Sequence, residues 1–220
     1  MIPARVGSER LQHKNLLSYN NQTLIEHSLQ LALESNCFDS VYLNGDSEIF
    51  KPFAISKNAS FHLRPKALGT SDTPIDAVIN EFLIQHNFTS RLFLINPPSQ
   101  LLSHNDVNRF FREFIDQDSD SMIATTVLAR HAQINGVPIN FNPREPLSRT
   151  QDLVPIEVFN YSIMAWKADV FKETYKSTGA GLMCGNFKTF ENGARNFLAI
   201  KDSEDFEMVR LLKESGKFDD

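Results

Sequence analysis

The sequence predicts an α/β fold with three layers, in which helices cover both faces of a mostly parallel sheet. Two observations carry this prediction. Strand-like apolar stretches alternate with helix-like apolar periods along most of the chain, which is the pattern of strands joined by crossover helices. The chain also has 220 residues, of which 41% are hydrophobic and 22% charged. That length and composition are typical of one globular domain with a sizeable core, so we expect a single domain over residues 1–220.

Each element follows from its own local pattern. The segment 23–34 places apolar residues such as Leu24, Leu29 and Ala32 on a helical spacing, ahead of a short apolar strand at 40–43. The segment 47–57 is a weaker helix, because Pro52 interrupts it near its start. The remaining predictions are helices at 75–85, 104–115, 168–175 and 203–213, and strands at 61–63, 91–95, 121–128, 161–166 and 197–200.

The stretch from Ala129 to Pro155 breaks this rhythm. It contains Pro138, Pro143 and Pro146 before its final proline and shows little helical periodicity. A loop of this length without structure of its own is uncommon inside a compact domain. We therefore predict an arm that packs on a partner or covers a site.

Charge and composition exclude several classes of protein. The formal net charge is −5, which disfavours a general nucleic-acid binder. No apolar run approaches the roughly 20 residues that cross a bilayer, so no membrane partner is expected. Cys37 and Cys184 are the two cysteines, too few for a disulfide framework or a zinc site. With no signal-peptide pattern at the start, we expect a cytoplasmic location.

The first loop carries the strongest chemical signal. It follows the opening strand and supplies Arg5, Gly7, Ser8, Lys14 and Asn15 within a few positions. Backbone amides and cations in such a loop are suited to phosphate groups, although a solvated basic loop is the alternative. The spacing is not that of a Walker A loop. Because open parallel sheets bind ligands beyond the carboxyl ends of their strands, the loops 44–47, 64–76, 96–102 and 201–202 are expected to join it.

These residues resemble a known family, the acylneuraminate cytidylyltransferases or CMP-sialic acid synthetases. Its opening signature is Ile-Pro-Ala-Arg-x-Gly-Ser-Lys, followed by Lys-Asn. Each motif alone is weak, but their shared order and spacing over nearly the whole chain identify a divergent member. The matching stretches are 2–15, Leu24–Ser28, Cys37–Val41, Asn44–Ser47, Leu63–Pro65, Thr70–Thr73, Ile95–Ser99, Gln151–Leu153, Asn160–Ile163 and Asp205–Phe206.

The resemblance implies a nucleotide-diphospho-sugar transferase type of fold and a Rossmann-like nucleotide-binding sheet. It implies a reaction in which the hydroxyl of a nine-carbon or eight-carbon sugar acid attacks the α-phosphate of CTP and pyrophosphate leaves. Segment 129–155 would be the dimerisation arm of a homodimer. The implied catalytic residues are Lys14 and Arg5; the nucleotide-binding residues are Arg5, Gly7, Ser8, Asn15, Arg64, Ser71 and Thr73; the substrate-binding residues are Asn96, Arg149, Gln151 and Asn160.

The chain departs from the family at the metal motif. The resemblance implies Mg²⁺ held by an Asp-Ile-Asp triplet, but alignment without a gap places Ala199, Ile200 and Lys201 there. Asp202 is the nearest carboxylate and the candidate metal ligand, or Lys201 itself supplies positive charge in that place. Tyr161 also replaces a family glycine, which could crowd the sugar pocket. Three alternatives follow: an active cytidylyltransferase, an impaired relative that binds nucleotide or sugar or pairs with an active subunit, and an enzyme using another nucleotide or acceptor.

Overall fold

The computed structural model describes residues 1–216, so residues 217–220, the end of the predicted domain, lie outside the described part. Its strands are Ile2–Ala4 (β1), Ser18–Tyr19 (β2), Gln22–Thr23 (β3), Tyr42–Gly45 (β4), Ser60–Leu63 (β5), Arg91–Ile95 (β6), Ser121–Leu128 (β7), Gln133–Ile134 (β8), Val137–Pro138 (β9), Ile156–Lys167 (β10) and Phe187–Glu191 (β11). Its α-helices are Leu24–Glu34 (α1), Lys51–Ser56 (α2), Ile75–Gln85 (α3), His104–Asp116 (α4), Ala168–Thr178 (α5) and Ser203–Glu214 (α6).

The central sheet is mostly parallel, as predicted. One part has the order β1-β4-β5 and the other β11-β7-β10-β6. The two parts are joined where the amino group of Met1 donates to the carbonyl of Phe93 at 2.7 Å and the amide of Ile95 donates to the carbonyl of Met1 at 3.1 Å. In this combined sheet β10 runs antiparallel to both of its neighbours, β6 and β7, whereas the other pairings are parallel.

Helices cover both faces of this sheet, which confirms the three-layer αβα arrangement. Alternate residues of β6 show the division, because successive side chains of a strand point to opposite faces. Phe93 and Ile95 pack in one core with residues of α1, α2 and α4. Leu92 and Leu94 pack in a second core with residues of α3 and α5. A smaller third cluster joins α6 to the β2–β3 hairpin and the first loop.

Local capping explains where two of the helices begin. Thr23 caps α1 and Ser103 caps α4, each in a reciprocal pair with the acidic residue three positions later. Pro52 does not break its helix, because it lies in the first turn of α2, where a missing amide hydrogen costs nothing. A 3₁₀ turn at Glu48–Phe50 precedes it.

The prediction of a strand at 197–200 is wrong. The chain forms a 3₁₀ turn at Ala194–Phe197, after which Ile200 is buried in the third cluster beside Tyr19 and Val209. The strand in this region is β11, which was not predicted and which pairs parallel with β7. A short apolar run can pack against a helix as well as within a sheet. Here apolar residues of 197–200 pack against α6 instead of joining the sheet. Strand β10 also begins earlier than predicted, at Ile156 rather than Tyr161.

The segment 129–155 lies mostly on the surface. It contains the small β8–β9 hairpin and a 3₁₀ turn at Thr150–Asp152, and Asn140 holds its ends together. The Asn140 side chain accepts from the amide of Ala132 and donates to the carbonyls of Arg130 and Val154. Among residues 1–216, no helix is long and apolar enough to cross a membrane.

Candidate active site

A cleft of about 250 Å³ opens at the carboxyl ends of the parallel strands. It gathers the loop after β1, the loop between β5 and α3, and the loop after β6, three segments that the sequence places far apart. Eight of the predicted site residues line it: Arg5, Ser8, Lys14, Asn15, Arg64, Ser71, Thr73 and Asn96. The parallel topology explains this gathering, since the carboxyl ends of such strands meet along one edge.

The first loop is folded back on itself by hydrogen bonds. Asn15 is buried, and its side-chain amide donates to the carbonyl of Arg5 at 3.0 Å. The guanidinium of Arg5 in turn donates to the carbonyl of Thr70 at 3.1 Å, across to the loop after β5. Asn15 therefore acts mainly by holding the loop that presents Arg5.

Asp46 belongs to one of the stretches that match the family, but the sequence indicates no role for it. Its carboxylate accepts from the backbone amide of Val6 at 3.1 Å, which ties the first loop to the end of β4. A β-carbon on Gly69 would come within 2.8 Å of the Asp46 carboxylate, so the close packing of these two loops requires glycine there. The contact between Asp46 and Val6 joins residues 40 positions apart, and no local sequence pattern predicts it.

Arg64 is buried at the floor of the cleft. Its guanidinium donates to the backbone carbonyl and side-chain oxygen of Asn44 at 3.0 and 2.9 Å and to the carbonyl of Leu68 at 3.1 Å. Burial lowers the pKa of Arg64, and the nearby charge of Asp46 opposes that shift. These bonds lock two loops of the cleft together and leave positive charge in its wall.

Lys14 is the cation with the most perturbed environment in the cleft. Its ammonium donates to the carbonyl of Ile200, 186 positions away, at 3.1 Å. Burial lowers the pKa of Lys14 to about 8, and repulsion from Arg10 and Arg5 adds to that shift, against the attraction of Asp205. A half-buried ammonium with two guanidinium groups nearby forms a site suited to a polyanion.

Five other predicted site residues lie outside the lining of this cleft, and one of them, the candidate metal ligand Asp202, is described below with the carboxylates. Gly7 belongs to the first loop, and open space surrounds the position of a β-carbon there. Arg149 and Gln151 are exposed on the arm, where the guanidinium of Arg149 pairs with Asp152 at 2.6 Å. Asn160 is buried behind the cleft.

Asn160 is held by an internal polar network. Its side-chain amide donates to Thr126 at 2.9 Å and to Asn192 at 2.7 Å, and its oxygen accepts from the amide of Ser162 at 3.0 Å. The carbonyl of Ser162 accepts from the backbone amide of Asn96, which lines the cleft. Asn160 thus affects the cleft indirectly, by holding the backbone of Ser162, which contacts Asn96.

The carboxylates near Lys14 do not fit the magnesium site that the resemblance implies. Asp202 caps α6 by accepting from the amide of Asp205 at 3.0 Å. Asp205 accepts from the amide of Lys201 at 2.8 Å. Within residues 1–216, no three His, Cys, Asp or Glu side chains group as metal ligands. An octahedral cation needs converging oxygen ligands, and these two already serve the backbone.

Comparison with known proteins places this α/β nucleotide-binding architecture in a family. A family model described as cytidylyltransferase matches residues 1–151, well over half of the chain. The chain therefore belongs to the cytidylyltransferase family.

Among curated relatives, an N-acylneuraminate cytidylyltransferase of Streptococcus agalactiae serotype V is 25% identical over 183 residues, which cover 80% of this chain and 43% of that protein. The chain thus spans less than half the length of that relative. A pseudaminic acid cytidylyltransferase of Campylobacter jejuni is 27% identical over 164 residues, covering 70% of this chain and 71% of that protein.

Solved structures confirm the fold. A CMP:2-keto-3-deoxy-manno-octonic acid synthetase complexed with CTP aligns with a TM-score of 0.71 and 18% identity, over 98% of this chain and 97% of that one. A 4-diphosphocytidyl-2C-methyl-D-erythritol synthase aligns with a TM-score of 0.66 and 13% identity, over 96% of both chains.

Proposed function

We propose that this chain transfers the cytidylyl group of CTP to a sugar acid. The single observation that carries the proposal is the cleft in which Arg5, Lys14 and Arg64 converge on one space with Asn96. Three cations around one cleft suit a triphosphate, and membership in the cytidylyltransferase family indicates that the nucleotide is CTP. The relatives are named for different sugar acids, so the acid is a matter for the experiment.

The proposed reaction is an in-line displacement at phosphorus. An acceptor hydroxyl oxygen forms a bond to the α-phosphorus of CTP, loses its proton to solvent, and the bond to the pyrophosphate oxygen breaks. Such transfers depend on positioning and charge compensation more than on a protein nucleophile. Lys14 and Arg5 would compensate the charge that moves onto the leaving pyrophosphate, while Asn15 and Arg64 hold the loops that present them.

The test is pyrophosphate release with CTP, Mg²⁺ and a panel of sugar acids: N-acetylneuraminic, pseudaminic, N,N′-diacetyllegionaminic and 2-keto-3-deoxy-manno-octonic acid. We expect release with one acid. Lys14→Ala should lower turnover by on the order of a hundredfold or more, as loss of a charge-stabilising donor does. Lys51→Ala removes a surface lysine paired with Glu48 and is the matched control, expected to retain wild-type turnover.

No pyrophosphate release with any acid of the panel, by a protein that still binds CTP, would contradict this reaction. It would favour the alternative of an impaired relative that binds nucleotide without transferring it. Turnover with another nucleotide but not with CTP would favour the third alternative.

We also propose that the arm, residues 129–155, docks on a second copy of the chain. Ile134 and Val137 of its hairpin are 62% and 64% exposed, and Ile139, Leu147 and Val154 are exposed as well. Exposed apolar residues concentrated in one segment are typical of an interface. A homodimer would carry Arg149 and Gln151 toward the cleft of the neighbouring subunit.

Light scattering after gel filtration tests the dimer. Ile134→Glu combined with Val137→Glu should convert a dimer to a monomer, because two carboxylates cannot be buried there unpaired. Ile55→Glu, at an equally exposed position outside the arm, should leave the mass unchanged. A monomeric wild-type chain would refute the proposal.

A further inference from the structure

Tyr161 has a backbone conformation that its residue type disfavours. Its φ angle is +55°, in the left-handed region. Eight other described non-glycine residues have positive φ, and each is an asparagine, an aspartate or a histidine, the types most tolerant of it. Tyr161 is the exception among residues 1–216. Strain of this kind persists only where surrounding structure imposes it, and it concentrates at binding sites.

The surrounding structure imposes it here. The register of β10 against β7 shifts between Phe159 and Met164, so the strand bulges at Tyr161. The next residue, Ser162, is held on both sides, because its carbonyl accepts from Asn96 at 3.0 Å and its hydroxyl accepts from Asn192 at 2.6 Å. Tyr161 therefore stands one residue from a backbone contact with the cleft wall.

The Tyr161 ring forms part of a rigid aromatic surface. It is stacked on the ring of Phe159 with centroids 5.7 Å apart and planes at 23°. Phe159 packs against the core beneath α3, the same helix that contributes Ile75 and Val78 to the cleft. Tyr161 itself remains 40% exposed. A half-exposed ring that stacks on Phe159, one residue from the contact between Ser162 and the cleft residue Asn96, offers an apolar face to a ligand.

We propose that Tyr161, backed by Phe159, determines which acceptor the cleft takes, by stacking on the apolar face of a sugar-acid ring. The proposal rests on the transferase function argued above. Hydrogens on a pyranose ring carry partial positive charge, and they pack favourably on the negative face of an aromatic ring. A ring at this position also excludes acceptors with bulky substituents on that face.

Three variants of Tyr161 separate strain from recognition. Tyr161→Asn suits the left-handed backbone but removes the ring, and Tyr161→Gly does the same with more freedom. Tyr161→Phe keeps the ring and the strain. We expect the asparagine and glycine variants to melt at or above the wild-type temperature, to raise the KM for the acid tenfold or more, and to leave the KM for CTP within twofold. Tyr161→Phe should keep the acid KM close to that of the wild type.

An asparagine variant with unchanged acid KM and unchanged preference across the four-acid panel would overturn the proposal. If the wild type turns over no acid, calorimetric titration of the same acids and of CTP tests the role of Tyr161 in binding. Acid binding that Tyr161→Asn abolishes keeps the recognition role while refuting the transferase. Acid binding that the variant retains, or no acid binding by a wild type that binds CTP, overturns the role of Tyr161.

Discussion

At the scale of a single side chain, Lys14 has the most distinctive environment of the cleft residues. It lies in a loop after a parallel strand, it contacts the carbonyl of Ile200, and Arg5 and Arg10 repel its charge. The sequence predicted its role from loop chemistry and resemblance. It did not predict the contact with Ile200, because that contact depends on how α6 and the segment before it pack on the first loop.

The pKa of Lys14 predicts a pH dependence of CTP binding. Because that pKa is about 8, the side chain loses its charge in the free protein as pH rises past 8, where an ordinary lysine stays charged. The triphosphate favours the charged form, so binding takes up a proton and affinity should fall by up to about tenfold per pH unit above pH 8. Calorimetric CTP titrations at pH 7, 8 and 9 measure this.

Lys14→Arg is the control for that pH dependence, since arginine stays charged throughout the range. Its CTP affinity should be nearly flat between pH 7 and 9. The same decline in the arginine variant would assign the titration to another group.

Asp202 and Lys201 lead to a prediction about metal binding. Because Asp202 and Asp205 already accept backbone hydrogen bonds, we expect no saturable Mn²⁺ binding by the nucleotide-free wild type. Ala199→Asp combined with Lys201→Asp should create it, by adding two carboxylates on either side of the buried Ile200 and removing the ammonium of Lys201. Electron paramagnetic resonance of free Mn²⁺ gives the binding curve. Saturable wild-type binding that Asp202→Asn removes would instead make Asp202 a metal ligand.

Helix α1 shows how well an element can be predicted from local sequence. Its apolar spacing and its Thr23 start are both encoded within a dozen residues, and the structure has them as expected. Strand β11 shows the opposite case. Its residues alternate weakly, and only the exposed edge of β7 gives them a partner. The erroneous strand at 197–200 has the same origin, because its apolar residues had a helix to pack against.

The cap of α1 predicts a measurable loss of stability. Thr23→Ala removes the hydroxyl that accepts from the amide of Glu26 and should lower the free energy of unfolding by about 1 kcal/mol. Thr23→Ser retains the hydroxyl and should stay within a few tenths of a kcal/mol of the wild type. Urea unfolding followed by circular dichroism measures both. Equal losses in the two variants would indicate that the threonine methyl group, rather than the cap, matters.

The two large cores share one sheet at the scale of the whole molecule. Strands β6, β7 and β10 each place alternate side chains in both cores. Loss of either core would therefore disorder the strands on which the other core depends. The molecule should therefore unfold as one cooperative unit, in line with the predicted single domain.

Phe110 and Trp166 provide the test, because they lie on opposite sides of the sheet. Phe110 is fully buried and packs edge-on against Phe190 at 5.2 Å, whereas Trp166, the one tryptophan, packs against Phe171. Phe110→Ala should cost about 3–5 kcal/mol and shift the Trp166 fluorescence transition as far as the circular dichroism transition. A fluorescence transition that stays at its wild-type midpoint would show that the two cores unfold separately.

The sequence by itself determined most of the alternation of strands and helices, the positions of α1 and α4, and the chemistry of the first loop. Those features depend on residues a few positions apart, whose periodicity and hydrogen bonds are local. The tertiary structure alone decided that Asn160 is buried in a hydrogen-bond network, that Asp202 caps a helix, and that Tyr161 adopts a left-handed backbone next to the residue that contacts Asn96. Each of these outcomes depends on partners that only the packing of distant segments brings within hydrogen-bonding or van der Waals distance.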